Sequence, residues 1–135
     1  MAHDLSALSQ GFLAHDIDAG AFHHAEHVEV AFELLKTHDF IDAAALYAKG
    51  IRAVAQKAGA DQKFNLTITY AFMSLIAERL AETPEITLEA FATSNPDLVS
   101  KDILANWYTP DRIMSETARN IFLMPAPFQA SADAG

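Results

Sequence analysis

The chain contains no cysteine, which excludes disulfides, thiolate metal sites and a cysteine nucleophile. It is also poor in positive charge: nine Lys and Arg stand against 18 Asp and Glu, a net charge of −9. Without clustered basic side chains to neutralise phosphates, neither nucleic acid nor an anionic membrane surface is an expected partner. No apolar run approaches the ~20 residues of a membrane span, and Met1-Ala2-His3-Asp4 lacks the basic start of a secretion signal. Glycine and proline are scarce, at five each. Apart from Thr67-Ile68-Thr69, which sits inside a longer helical period, runs of β-branched residues are missing too. No Gly-rich phosphate loop and no G-x-S-x-G elbow occurs, which removes nucleotide binding and serine hydrolysis as first readings. The expectation is a soluble, cytoplasmic protein.

What the chain has is alanine, 26 of its 135 residues, the best helix former of all. Hydrophobic residues make up 51%, too many for a disordered acidic protein and enough for one ordinary core. The fold class read from this is all-α. A short helical pattern at Leu5, Leu8, Phe12 and Leu13 breaks at Asp16-Ile17-Asp18-Ala19-Gly20. Three long helices follow, over residues 22–36, 40–58 and 62–81. In the first, Glu26, Glu29, Glu33 and Lys36 share an outer face, opposite Val28, Ala31, Phe32, Leu34 and Leu35. Asp39 caps the second and Gly59 stops it, with Gly50 a tolerable weakness inside. Asp61 is the expected cap of the third, whose core face carries Leu66, Thr69, Phe72, Met73, Ile76 and Leu80.

Shorter elements complete the chain: a brief helix after Thr87, another from Asp97 to Tyr108 behind Asn95-Pro96, and turns opened by Thr109-Pro110 and Ser115-Glu116. Short connections favour antiparallel neighbours, so residues 22–82 are read as an up-down bundle of three helices. Within one helical domain over 1–124, residues 1–20 form an N-terminal segment and 87–123 the short helices, while 125–135 read as a flexible tail.

Chemistry concentrates in Phe22-His23-His24-Ala25-Glu26-His27-Val28, which holds three of the six histidines. His23 with His27 is an i, i+4 pair and His24 with His27 an i, i+3 pair, so either can chelate one divalent metal ion. The helix phase puts His24 in line with Ala31 and Leu35, pointing inward, with His27 at the edge of the stripe. On the third helix Asn65 and Thr69 are likewise i, i+4 in the opening turns. In an up-down arrangement these groups meet at one bundle end, beside Val54, Ala55 and Ala58, with Tyr47 able to reach the floor. Small side chains facing polar ones leave room for a small-molecule ligand, a metal with water, or buried water. The match to H-x-x-E-H carries little, because Glu26 falls on the acidic outer face. No Glu-x-x-His pair of a di-iron bundle is present.

Phe22-x-His24-x-x-His27-Val28 together with Lys63-Phe64-Asn65-x-Thr67-x-Thr69 resembles a pattern in small helical bacterial proteins that often carry His where this chain has Asn65. The resemblance covers roughly residues 22–70 and brings no activity with it. It implies a set of three inward histidines, from which this chain lacks one. Two functions remain open from sequence. The first is a binding protein or metalloenzyme using His23, His24 and His27 on a metal, with Asn65, Thr69 and Tyr47 on a ligand. The alternative is a structural or interaction module, possible as a homo-oligomer, in which the cluster is a buried hydrogen-bond network.

Overall fold

The structure is a computed structural model and describes residues 5–127. It is all-helical, with no strand among the described residues. Among these residues seven α-helices occur: α1 (Ala7–Leu13), α2 (His24–Thr37), α3 (Phe40–Lys57), α4 (Leu66–Glu82), α5 (Leu88–Ser94), α6 (Pro110–Ile113) and α7 (Glu116–Asn120). Three 3₁₀ turns lie between them, at Ala19–Ala21, Asp61–Lys63 and Pro96–Val99. Residues 128–135 of the expected tail lie outside the described residues, while Pro125–Pro127 have no regular secondary structure.

Helix starts follow local chemistry. Ser6, Asp39, Thr87, Thr109 and Ser115 each accept a backbone N–H of the following turn, satisfying one donor that the helix cannot. Gly59 ends α3 in the left-handed region at φ 68°, and Ala60 N–H returns to Ala55 C=O at 2.8 Å. His15 does the same work after α1 at φ 58°, with Asp16 N–H reaching Gly11 C=O at 2.8 Å.

Two expected helices differ. α4 begins four residues later than the 62–81 reading, because Asp61 opens only a 3₁₀ turn and Asn65 is the true cap, accepting Ile68 N–H at 2.9 Å. The helix expected from Asp97 to Tyr108 stops after one 3₁₀ turn at Val99, and residues 101–107 continue as turns. There Ser100 Oγ accepts Asp102 N–H at 3.2 Å, the local competition that keeps Ser and Asp out of helix interiors.

The three long helices all touch one another, and α2 also meets α1, α5 and the Pro96–Val99 turn. This many-sided packing corrects the expected exposure of Glu26, Glu29 and Glu33, which are half-buried. Glu33, for instance, accepts Ser6 N–H at 2.8 Å across the α1 junction. Val30, Ala31, Leu34, Met73 and Ile76 are fully buried. A run of aromatic rings threads the core, Phe22 to Phe12 at 5.5 Å, Phe12 to Tyr47 at 5.8 Å and Tyr47 to Phe72 at 6.2 Å between centroids.

Gly50 is more than a tolerated weakness. The Phe12 ring lies against its Cα, so that a Cβ added there would sit well inside van der Waals contact with the ring. This close approach is how α1 seats on α3.

The C-terminal residues are fastened to α4. Thr67, fully buried, donates its hydroxyl to Ile121 C=O at 2.7 Å and accepts Leu123 N–H at 2.8 Å. Tyr108, also buried, donates to Leu123 C=O at 2.7 Å. Farther along, Arg79 holds Asp97 through two bonds of 2.7 and 2.8 Å, which tie α4 to the Pro96–Val99 turn. That fork raises the Arg79 pKa and lowers that of Asp97.

Candidate functional site

A cavity of about 410 Å³ opens where the start of α2, the end of α3 and the start of α4 come together. From α2 it receives His24 and His27; from α3, Tyr47, Ile51, Val54 and Ala55, with its C-cap Ala58; from α4, Ile68, Thr69 and Phe72, with the cap Asn65. The segment before α2 contributes Phe22, and the stretch after Val99 contributes Lys101 and Ile103. The alanines along the last turns of α3 make this volume, since each stands where a larger side chain would fill it.

His27 is the half-buried titratable group in the wall. Its ring lies against Phe22 at 4.4 Å between centroids, and its Nδ1 is 3.3 Å from the Tyr47 hydroxyl. Burial, helped by the neighbouring His24, pulls its pKa down to about 4, against the partial opposition of Glu26. The imidazole is therefore neutral at pH 7. When Tyr47 donates to Nδ1, the ring proton sits on Nε2. Tyr47 is itself 2% exposed, and burial pushes its pKa up, so the phenol stays protonated.

His24 departs from expectation. It lines the cavity, but its side chain is exposed rather than inaccessible. It is the first residue of α2, and a side chain in the first turn leans back toward the helix N-terminus, beyond the packed part of the stripe. Its ring centroid is 6.0 Å from that of His27. His23 is exposed at the cap position, does not line the cavity, and donates its backbone N–H to Glu26 at 2.8 Å. Among the described residues no three His, Asp or Glu side chains come together as a metal-holding group. Asp18 is taken up in its own turn, accepting Gly20 N–H at 3.0 Å.

Asn65 and Thr69 are buried, as expected, and line the cavity, yet both are engaged with the fold. Asn65 accepts Ile68 N–H and donates from its amide to Ile113 C=O at 2.7 Å. Thr69 donates to Asn65 C=O at 2.7 Å, which leaves its lone pairs free. Sequence reasoning missed Lys63 and Lys101 as lining residues. Lys63 reads from sequence as an ordinary surface residue, and it is exposed while lining the cavity; nothing local marks Lys101.

Among the described residues no helix is long and apolar enough to cross a membrane. Comparison of the chain with protein-family models, curated proteins and solved structures returns no match.

Proposed function

We propose that this helical protein binds a small molecule in the cavity between the ends of α2, α3 and α4. One observation carries the reading: about 410 Å³ of space walled by apolar and small side chains, with the His27–Tyr47 pair at its edge. Ligand sites have this composition, mostly apolar with a few placed polar groups, and volumes of roughly 300–1,000 Å³. The neutral His27 and the free lone pairs of Thr69 give the ligand a donor and an acceptor. The meeting of two helix starts and one helix end also supports the up-down order of the long helices.

The experiment is a fragment screen by thermal shift, run in parallel on the wild type and on Ala55→Phe. Ligands of the cavity raise the melting temperature of the wild type by mass action and leave the filled variant unmoved. Fragments that stabilise both proteins equally, with none lost in Ala55→Phe, would remove the cavity as the site.

A second reading places a divalent ion on His24 and His27, favoured by the adjacency of their rings at 6.0 Å. Two imidazoles supply only half of a tetrahedral set, so water or a ligand would complete it. Asn65 is a poor third donor because its amide is already bonded at both ends.

A further inference from the structure

The charged groups around the cavity are one-sided. In a chain with twice as many acids as bases, its titratable lining among the described residues is His24, His27, Tyr47, Lys63 and Lys101, without a single carboxylate. Lys63 and Lys101 are both exposed, and neither is ion-paired among the described residues. Of the other cations, Lys49 and Arg52 are exposed on α3, away from the cavity lining, and five have partners. Lys57 faces Asp16, Arg79 holds Asp97, Lys36 reaches Pro84 C=O, and Arg112 and Arg119 bond backbone carbonyls. The exposed lining residues His24, Lys63 and Lys101 mark the mouth, whereas Tyr47, Phe72 and Leu98 are buried in the wall.

Resting on the binding function proposed above, we infer that the ligand is an amphipathic organic anion, a carboxylate with an apolar body. Its hydrocarbon part lies against the aromatic and aliphatic wall, and its carboxylate stays at the mouth between Lys63 and Lys101. Net negative charge on the chain as a whole disfavours anions, so a cavity mouth with two ammonium groups and no lining carboxylate among the described residues is a favourable place for one. Two exposed ammonium groups give selectivity of modest size, weakened by salt, while apolar burial supplies most of the affinity.

The test uses the full chain and three probes sharing one tail, octanoate, octan-1-ol and octylammonium, with 4-phenylbutyrate and 4-phenylbutan-1-ol as an aromatic pair. Binding is followed by titration in NMR at low and high salt. The expected order is carboxylate above alcohol by about fivefold or more, with octylammonium weakest. Raising salt lowers carboxylate affinity and leaves the alcohols unchanged. In Lys63→Gln/Lys101→Gln the carboxylate falls to the level of the alcohol, whose own binding persists and so reports that the variant is folded. Equal binding of acid and alcohol, or preference for octylammonium, overturns the anion inference and leaves the cavity reading standing. If no probe binds, both readings fall together.

Discussion

The Tyr47 hydroxyl and His27 Nδ1, 3.3 Å apart, join the middle of α3 to the first turns of α2 through a single contact. Because the phenol is buried and this is its hydrogen bond, the two side chains act as one unit. Tyr47→Phe is expected to cost about 0.5–1.5 kcal/mol in urea denaturation, since it leaves the neutral imidazole without a partner. Unchanged stability would mean that water replaces the phenol freely.

The same pair sets a pH dependence. His27 has a folded pKa of about 4 against an ordinary value of 6.5. Between these values the unfolded chain holds the proton and the folded chain does not, so stability is complete above about 6.5 and is lost as pH falls toward 4. The contribution is at most about 3 kcal/mol. Subtracting the stability profile of His27→Gln from that of the wild type isolates it from the carboxylates. A flat difference between pH 7 and 4 would contradict the buried neutral imidazole.

Gly50→Ala sets two effects against each other. Alanine gains about 1 kcal/mol of helix propensity, but its Cβ collides with the Phe12 ring. Overpacking of this kind costs about 1–3 kcal/mol, so net destabilisation is expected. In a Phe12→Leu background the collision is relieved and Gly50→Ala should become neutral or favourable. A thermal-melt cycle over the four proteins reads the sign directly.

Thr67→Val removes a hydroxyl that serves two backbone groups, leaving Ile121 C=O and Leu123 N–H without it. A loss of about 1–3 kcal/mol is expected, together with faster amide exchange at Leu123. Thr67→Ser should retain both bonds. Equal exchange in Thr67→Val and wild type would show that these bonds do not hold the segment.

For the metal reading, zinc, nickel, copper, manganese and iron should each be tried against untagged protein. A bound ion raises the melting temperature, His24→Ala and His27→Ala lower that gain, and His38→Ala, outside the cluster, leaves it intact. Affinity falls as pH drops and the ligating imidazoles protonate. A melting temperature indifferent to every ion retires this reading.

Much of this was written locally in the chain. Asp39, Thr87, Thr109 and Ser115 cap where their side chains and the following apolar period agree. The convergence of His24, His27, Asn65 and Thr69 beside Val54, Ala55 and Ala58 followed from helix order and small-residue placement. What escaped was set by distant partners. Asn65 works as a cap because Ile113 C=O is there to take its amide, and Gly50 is required because Phe12 arrives from another helix. The exposure of His24 depends on where α2 begins, and a shift of two residues in that start moves the side chain from the packed stripe to the mouth. Lys101 reaches the cavity through turns that periodicity cannot describe.

The fastening of α4 also has a consequence in time. Asn65 bonds a carbonyl 48 residues downstream, and Thr67 bonds groups 54 and 56 residues downstream. During synthesis, at roughly 5–20 residues per second, the three long helices emerge seconds before the partners of these two side chains. Until then a hydroxyl and an amide destined for burial face water in the opening turn of α4. The site is finished last, by residues 113–123 that do not line it. A nascent chain halted before them would present the histidines and the lysines without the clamp that holds the opening turn of α4 beneath them.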